Sequence, residues 1–251
     1  MYHYLTVEKK EGIAVVTFCR PSQLNAMNRR FMDEIVGVFH EMNEDDSVRV
    51  VLVTGEGRAF MAGADIKEYA AQTDEQFDAF QKKGWSLYKE AERGKKPFIA
   101  VVNGFALGGG FEIAMSCDMI IASEKAQFGL PEVHLGLVPG GGGTQRLIQK
   151  VSVNRAREIL YLGGKFSAKQ FHDWGIVNYV VPEEALMAKA REVAEKLARR
   201  SPAAIAALKR LVYLSTRPLE LDERMEQEAA DLSALYHTQE AQKKIQEFAS
   251  K

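Results

Sequence analysis

Val48-Arg49-Val50-Val51-Leu52-Val53-Thr54 constrains this chain more than any other stretch. It is almost wholly apolar and rich in β-branched residues, without the alternation of a strand that keeps one wet face. A strand of this kind is covered on both faces. Phe98 to Val102 and Met119 to Ala122 read as further buried strands. Between the first two lies Gln72 to Gly94, mostly helical and polar-faced, and before the third an apolar helix-like run begins near Phe111. Strands and helices alternate over the first ~180 residues and helices take over afterwards, which makes the chain α/β with a C-terminal helical appendage. No linker rich in proline or serine separates the two parts, so the appendage is expected to pack on the core or on a neighbouring subunit.

The remaining elements follow from local signals. Ile13 to Phe18, after Glu11-Gly12, reads as a hairpin strand. Asn28 is placed to cap a helix whose Phe31, Ile35, Val38, Phe39 and Met42 share one face. Asp65 is placed to cap the next helix, with Glu68 three residues on completing a capping box. Ala126 to Glu132 reads as irregular. Ser167 can cap a helix, Trp174 to Pro182 reads as a turn and a strand, and Ser201-Pro202 reads as an N-cap with proline at the first helical position. Leu214 to Pro218 breaks that helix, Leu221 to Tyr236 forms another, and Thr238 begins the last.

Composition excludes several function classes. The formal net charge is −1, so no general attraction to nucleic acid or an anionic membrane is expected. No apolar run approaches the ~20 residues of a membrane span. The N-terminus has no basic-then-apolar signal pattern, and the expected location is cytoplasmic. Two cysteines, Cys19 and Cys117, make neither a disulfide framework nor a zinc site and read as reduced core residues. The five histidines lack metal-ligand spacing, and His134 reads as a loop residue.

Chemistry concentrates in two glycine clusters and two isolated carboxylates. Gly108-Gly109-Gly110 follows the strand-like Val101-Val102 and leads into a helix with Glu112 near its start. Gly140-Gly141-Gly142-Gly143 leads into another helix. Neither cluster ends in the Gly-Lys-Ser/Thr of a phosphate-binding loop or shows dinucleotide-binding spacing. Gly108 to Gly110 is either a closely packed turn or an oxyanion site built from a helix-start N–H. A second donor would come from elsewhere, and Ala62-Gly63-Ala64 is the other close-approach segment. Glu112 and Glu132 each sit among apolar residues or glycine. Each is either a salt-bridge or capping residue, or half of an acid–base pair whose repulsion raises one pKa. Asp118 reads as a cap or ion-pair residue, and Trp85 and Tyr88 as packing residues on a helix.

Three segments resemble the enoyl-CoA hydratase (crotonase) family: Ala59 to Glu68, Asn103 to Glu112, and Gln127 to Leu147. The resemblance extends from Arg20-Pro21-Ser22-Gln23-Leu24-Asn25-Ala26 to the helical tail. It implies a spiral of repeated β-β-α units over residues 1–184, which holds the active site. It also implies a helical region over 185–251 that packs in a homotrimer, commonly doubled to a hexamer. The family's two backbone donors fall on Ala64 and Gly109, and the two glutamates of its hydratases fall on Glu112 and Glu132. Ser22, Gln23, Leu24, Ala26, Ala62, Asp65 and Ile66 correspond to segments that hold CoA, and Gly140 to a glycine of the acyl site. The implied activity is reversible hydration of a trans-2-enoyl-CoA, with CoA as part of the substrate and neither metal nor separate cofactor. The family also contains Δ3,Δ2-enoyl-CoA isomerases, for which one carboxylate suffices, and members that bind RNA. Gln23 and Phe111 depart from frequent family residues, which bears on the CoA phosphate contacts and on acyl-chain preference.

Overall fold

A two-residue turn at Glu11-Gly12 begins the fold. Both residues have positive φ, 53° and 80°, a geometry whose twist suits a tight hairpin. It joins β1 (Leu5–Lys10) to β2 (Ile13–Phe18). The computed structural model describes residues 2–250. After a 3-10 turn at Pro21–Gln23 come α1 (Arg29–Glu44), β3 (Val50–Gly55), β4 (Ala59–Met61), α2 (Ile66–Ala71) and α3 (Asp74–Arg93). Then follow β5 (Phe98–Val102), β6 (Phe105–Leu107), α4 (Gly109–Ser116), β7 (Met119–Ser123) and β8 (Gln127–Gly129). A 3-10 turn at Pro131–Leu135 leads to α5 (Gly143–Ile148), α6 (Val153–Leu162), β9 (Phe166–Ser167), α7 (Ala168–Asp173) and β10 (Tyr179–Val181). The chain finishes with α8 (Leu186–Ala198), α9 (Pro202–Leu214), α10 (Leu221–Tyr236) and α11 (Gln239–Ala249).

Two sheets share these strands. The larger runs β1-β2-β3-β5-β7-β10 and is parallel except for the opening hairpin. The smaller runs β4-β6-β8-β9, with β4, β6 and β8 parallel. Each of the pairs β3/β4, β5/β6 and β7/β8 therefore gives one strand to each sheet before the chain turns into helical structure. That repeat is the β-β-α winding implied by the sequence.

The apolar character of β3 and β5 now has its cause. Val51, Val53, Ala100 and Val102 pack in the main core with Phe31 and Phe39 of α1, Phe60 of β4 and Phe111 of α4. Val50, Leu52, Ile99 and Val101 face the other way and are covered by Leu186, Ala190, Val193 and Ala194 of α8. Asn28 caps α1 as expected, its side chain accepting from the Phe31 N–H at 2.8 Å, and the helix buries Phe31, Ile35, Val38, Phe39 and Met42.

One charged residue fastens the last helices to this core. The buried Lys209 of α9 donates from Nζ to the carbonyls of Ala91 (2.6 Å) and Lys96 (2.8 Å) and to Asp118 Oδ2 (2.7 Å). Asp118 also accepts from the Phe98 N–H at 2.7 Å, which makes it the ion-pair residue it reads as in the sequence. Beyond that anchor the helices are lightly covered: Val212, Leu232 and Phe248 are 68%, 68% and 81% exposed. Among the described residues, no helix is long and apolar enough to cross a membrane.

Three local expectations are corrected. Asp65 and Glu68 form no capping box, because Arg20 Nη2 takes the Asp65 carboxylate at 3.1 Å and Glu68 accepts from the Arg29 N–H and Nε. The irregular stretch from Ala126 contains β8, too short to show a period of its own and fixed by pairing with β6 and β9. Trp85 is 55% exposed rather than packed, and its Nε1–H donates to the Gly140 carbonyl at 3.3 Å.

Candidate active site

The three parallel strands of the small sheet each end on a segment that enters one cavity. Ala62-Gly63-Ala64 follows β4, Gly108-Gly109-Gly110 follows β6, and Leu130-Pro131-Glu132 follows β8. The cavity, about 300 Å³, is lined by Ala64, Gly109, Glu112, Glu132, Tyr88 and Gly140, among others. The four residues expected to act together, Ala64, Gly109, Glu112 and Glu132, are spread over 68 positions of the chain and meet through the sheet.

Ala64 and Gly109, expected to supply backbone donors, both line this cavity. Ala64 forms a single parallel bridge with Met27, in which the Met27 N–H donates to the Gly63 carbonyl (2.8 Å) and the Asp65 N–H to the Met27 carbonyl (2.9 Å). The N–H of Ala64 itself points the other way. Gly109 is the first residue of α4, where no carbonyl of the helix can reach its N–H. Neither N–H donates to a protein acceptor among the described residues. Gly108 makes the turn possible with φ at +51°, and a Cβ there would lie 2.8 Å from Glu132 Oε1.

The two carboxyls occupy different surroundings. Glu112, 2% exposed, accepts at Oε1 from the N–H groups of Gly141 (2.8 Å) and Gly143 (2.7 Å). Burial pushes its pKa up, while those two N–H groups and the Arg146 charge hold it down. Glu132 is partly buried, and its Oε2 is enclosed without a hydrogen-bond partner. Burial first, and then the neighbouring Glu112 charge, push its pKa up to about 7. The ionised form therefore has two neutralising donors at Glu112 and little support at Glu132. Such a difference separates a base from an acid.

A clamp absent from the sequence reading holds the glycine loop against Glu112. Arg146 of α5 donates from Nη1 to the Gly141 carbonyl at 2.5 Å and grips both oxygens of Glu92 through Nε (2.9 Å) and Nη2 (3.2 Å). Its guanidinium lies 5.3 Å from the ring centre of Tyr88. Tyr88 is buried, and burial raises its phenol far enough to keep it protonated. The Gln145-Arg146-Leu147 segment was visible in the sequence, but nothing in one sequence couples it to Glu92, 54 residues earlier.

The residues expected to hold CoA divide. Gln23, Ala26, Asp65 and Ile66 line a second groove, about 600 Å³, which shares Ala64 and Ile66 with the cavity. Ala62 and Gly140 line the cavity itself. Ser22 and Leu24 border neither: the Ser22 hydroxyl donates to Gln23 Oε1, and the Leu24 carbonyl accepts from the Ala62 N–H. Arg20 and Lys67 also line the groove and bring it positive charge. His134 stands at the cavity edge with Nε2 3.1 Å from the Leu162 carbonyl. Among the described residues, no three His, Cys, Asp or Glu side chains gather as a metal site would require.

Successive strand–strand–helix turns around a cavity at the ends of the small sheet define a crotonase-fold protein. The chain belongs to the enoyl-CoA hydratase/isomerase family, whose model matches residues 8–251. It is 39% identical over 246 residues to a probable mitochondrial enoyl-CoA hydratase of Dictyostelium discoideum, covering 98% of this chain and 88% of the relative. It is 43% identical over 200 residues to a short-chain-enoyl-CoA hydratase of Clostridium acetobutylicum, covering 79% and 77%. The crystal structure of an enoyl-CoA hydratase from Bacillus anthracis superposes with a TM-score of 0.95 at 34% identity, covering 99% of this chain and 96% of that one.

Proposed function

We propose that this protein is an enoyl-CoA hydratase that adds water reversibly to a trans-2-enoyl-CoA to give a 3-hydroxyacyl-CoA. The observation that carries this reading is one cavity lined by two unengaged backbone donors and two carboxyls of opposed surroundings. Relatives named as hydratases support it.

In this scheme the thioester oxygen sits between the N–H groups of Ala64 and Gly109. They draw electron density from the β-carbon and stabilise the enolate-like charge that develops as it is attacked. Glu112, its carboxylate steadied by Gly141 and Gly143, takes a proton from water as the oxygen bonds to the β-carbon. Glu132, with a pKa of about 7, carries the proton that passes to the α-carbon. The products of the step are the hydroxyl on one carbon and the hydrogen on the next, and the carboxyls exchange protonation state. The scheme draws its polarisation from backbone donors and uses neither metal nor redox cofactor. CoA lies along the groove of Gln23, Ala26, Asp65 and Ile66, with Arg20 and Lys67 supplying positive charge for its phosphates. The apolar faces of α9 to α11 supply the subunit contact of a homotrimer or a pair of trimers, the arrangement that would cover Val212, Leu232 and Phe248.

Hydration of crotonyl-CoA, followed as loss of the enoyl absorbance, tests the scheme. Glu112→Gln and Glu132→Gln are each expected to lower kcat by about a hundred-fold or more. Wild-type rates in both variants would refute the two-carboxyl mechanism. Isomerisation of a 3-enoyl-CoA without hydration of crotonyl-CoA would refute the hydratase assignment.

A further inference from the structure

The cavity does not end in solid core. A groove of about 320 Å³ lies behind it between α1 and α3, lined by Arg29, Asp33, Gln76, Ala79 and Lys83. Met32 and Phe80 border both spaces, and no other described residue does. They form a partition one side chain thick. Both are buried, 2% and 5% exposed.

The two halves of the partition are held differently. Phe80 is held edge-on by Tyr69, ring centres 5.5 Å apart, and Tyr69 is held in turn by Phe77 at 5.4 Å. Met32 is unbranched, with a thioether that adapts to irregular space. Its end rests on Gly84, a glycine inside α3 where the helix itself would favour almost any other residue. A Cβ on Gly84 would stand 3.2 Å from the Met32 Cε and 3.7 Å from its Sδ. Gly84 thus seats the methionine. Its neighbour on the cavity wall, Tyr88, lies one helical turn further along α3, beside Glu112.

We infer that Met32, backed by Phe80 and seated on Gly84, is the stop that sets acyl-chain length in this enzyme. Short straight-chain 2-enoyl groups end before it. Longer chains must swing Met32 aside and enter the groove between α1 and α3, whose rim carries Arg29, Asp33, Glu75 and Lys83 and gives a hydrocarbon tail poor company. The inference rests on the acyl-CoA reading of the cavity proposed above.

The test compares kcat/KM for crotonyl-CoA and trans-2-decenoyl-CoA in the wild type, Met32→Ala and Phe80→Ala. The ratio of long to short substrate is expected to rise about tenfold or more in Met32→Ala, and in the same direction in Phe80→Ala, since several methylenes gain a place to lie. A general loss of packing lowers both substrates together and leaves the ratio alone. An unchanged ratio in every variant that folds overturns the inference. Should the wild type hydrate neither substrate, the hydratase reading fails by itself. The stop is then judged from the ratio of butyryl-CoA to decanoyl-CoA dissociation constants, where an unchanged ratio in both variants again overturns it.

Discussion

Replacing Glu132 by glutamine should make the protein more stable as it makes it less active, and only above a definite pH. The Glu132 pKa rises from an ordinary 4.5 to about 7, mainly through burial and then through the Glu112 charge. Between those two pH values the unfolded chain has released this proton and the folded chain has kept it. Stability therefore falls as pH rises through the window. At 1.36 kcal/mol per pH unit, the full cost above pH 7 is about 3 kcal/mol. Glutamine carries no charge at any pH and escapes the cost. Its amide meets the same enclosed position as Oε2, but that penalty does not change with pH. Urea unfolding of wild type and Glu132→Gln at one protein concentration should show a gain from the substitution that is larger by about 2 kcal/mol at pH 8 than at pH 5. Crotonyl-CoA turnover on the same samples should show the loss of activity. An equal stability change at both pH values would mean that Glu132 ionises in the folded protein as easily as in water, and the acid role argued from its surroundings would fall with it.

Three further outcomes follow from the geometry. Arg146→Met releases the Gly141 carbonyl and leaves Glu92 only its looser contact with Arg93 Nε at 3.9 Å. Because Arg146 and the Gly141 N–H hold the Glu112 pKa down, kcat should fall by about tenfold or more, and the acid limb of its pH profile should move to higher pH; a profile that drops without moving would make the clamp merely structural. Lys209→Met leaves Asp118 without its partner and should cost about 3 kcal/mol in urea unfolding, the low end for a broken buried pair because the Asp118 side chain is 29% exposed; a loss below about 1 kcal/mol would show that apolar packing alone holds α9. Gly108→Ala forces a side chain into φ +51° with its Cβ 2.8 Å from Glu132 Oε1, so crotonyl-CoA turnover should fall by at least about tenfold, and retention of full turnover would show that Glu132 can shift without consequence.

Much of the frame was legible because its signals are local. The continuous apolar run at β3 needs two covers, and the structure supplies them as the main core and α8. The face of α1 and its Asn28 cap, the Ser167 cap and the break before α10 all depend on residues within a few positions of one another. The family was legible from motifs long enough to be specific. What stayed hidden depends on distant partners. Asp65 looked like half of a capping box until Arg20, 45 residues away, took its carboxylate. Strand β8 has three residues and no period to detect, yet it carries Glu132 to the cavity. The Arg146–Glu92 clamp and the Met32 partition join helices that one sequence cannot bring side by side. Trp85 reads as a packing residue on its helix, whereas the helix turns it toward solvent against Gly140.

The small sheet has a consequence for how chemistry can be altered on this frame. Its ladder of β4, β6 and β8 delivers three neighbouring chain segments, and two of them present main-chain N–H groups rather than side chains. A side-chain replacement at position 64 or 109 leaves those donors in place unless the newcomer is proline, which has no N–H to offer. The carboxyls at 112 and 132 enjoy no such protection, and each is one substitution from removal. In the proposed scheme, anion-stabilising capacity is thus written into the main chain and inherited with the fold, while the proton inventory is written in side chains and can be redrafted one residue at a time.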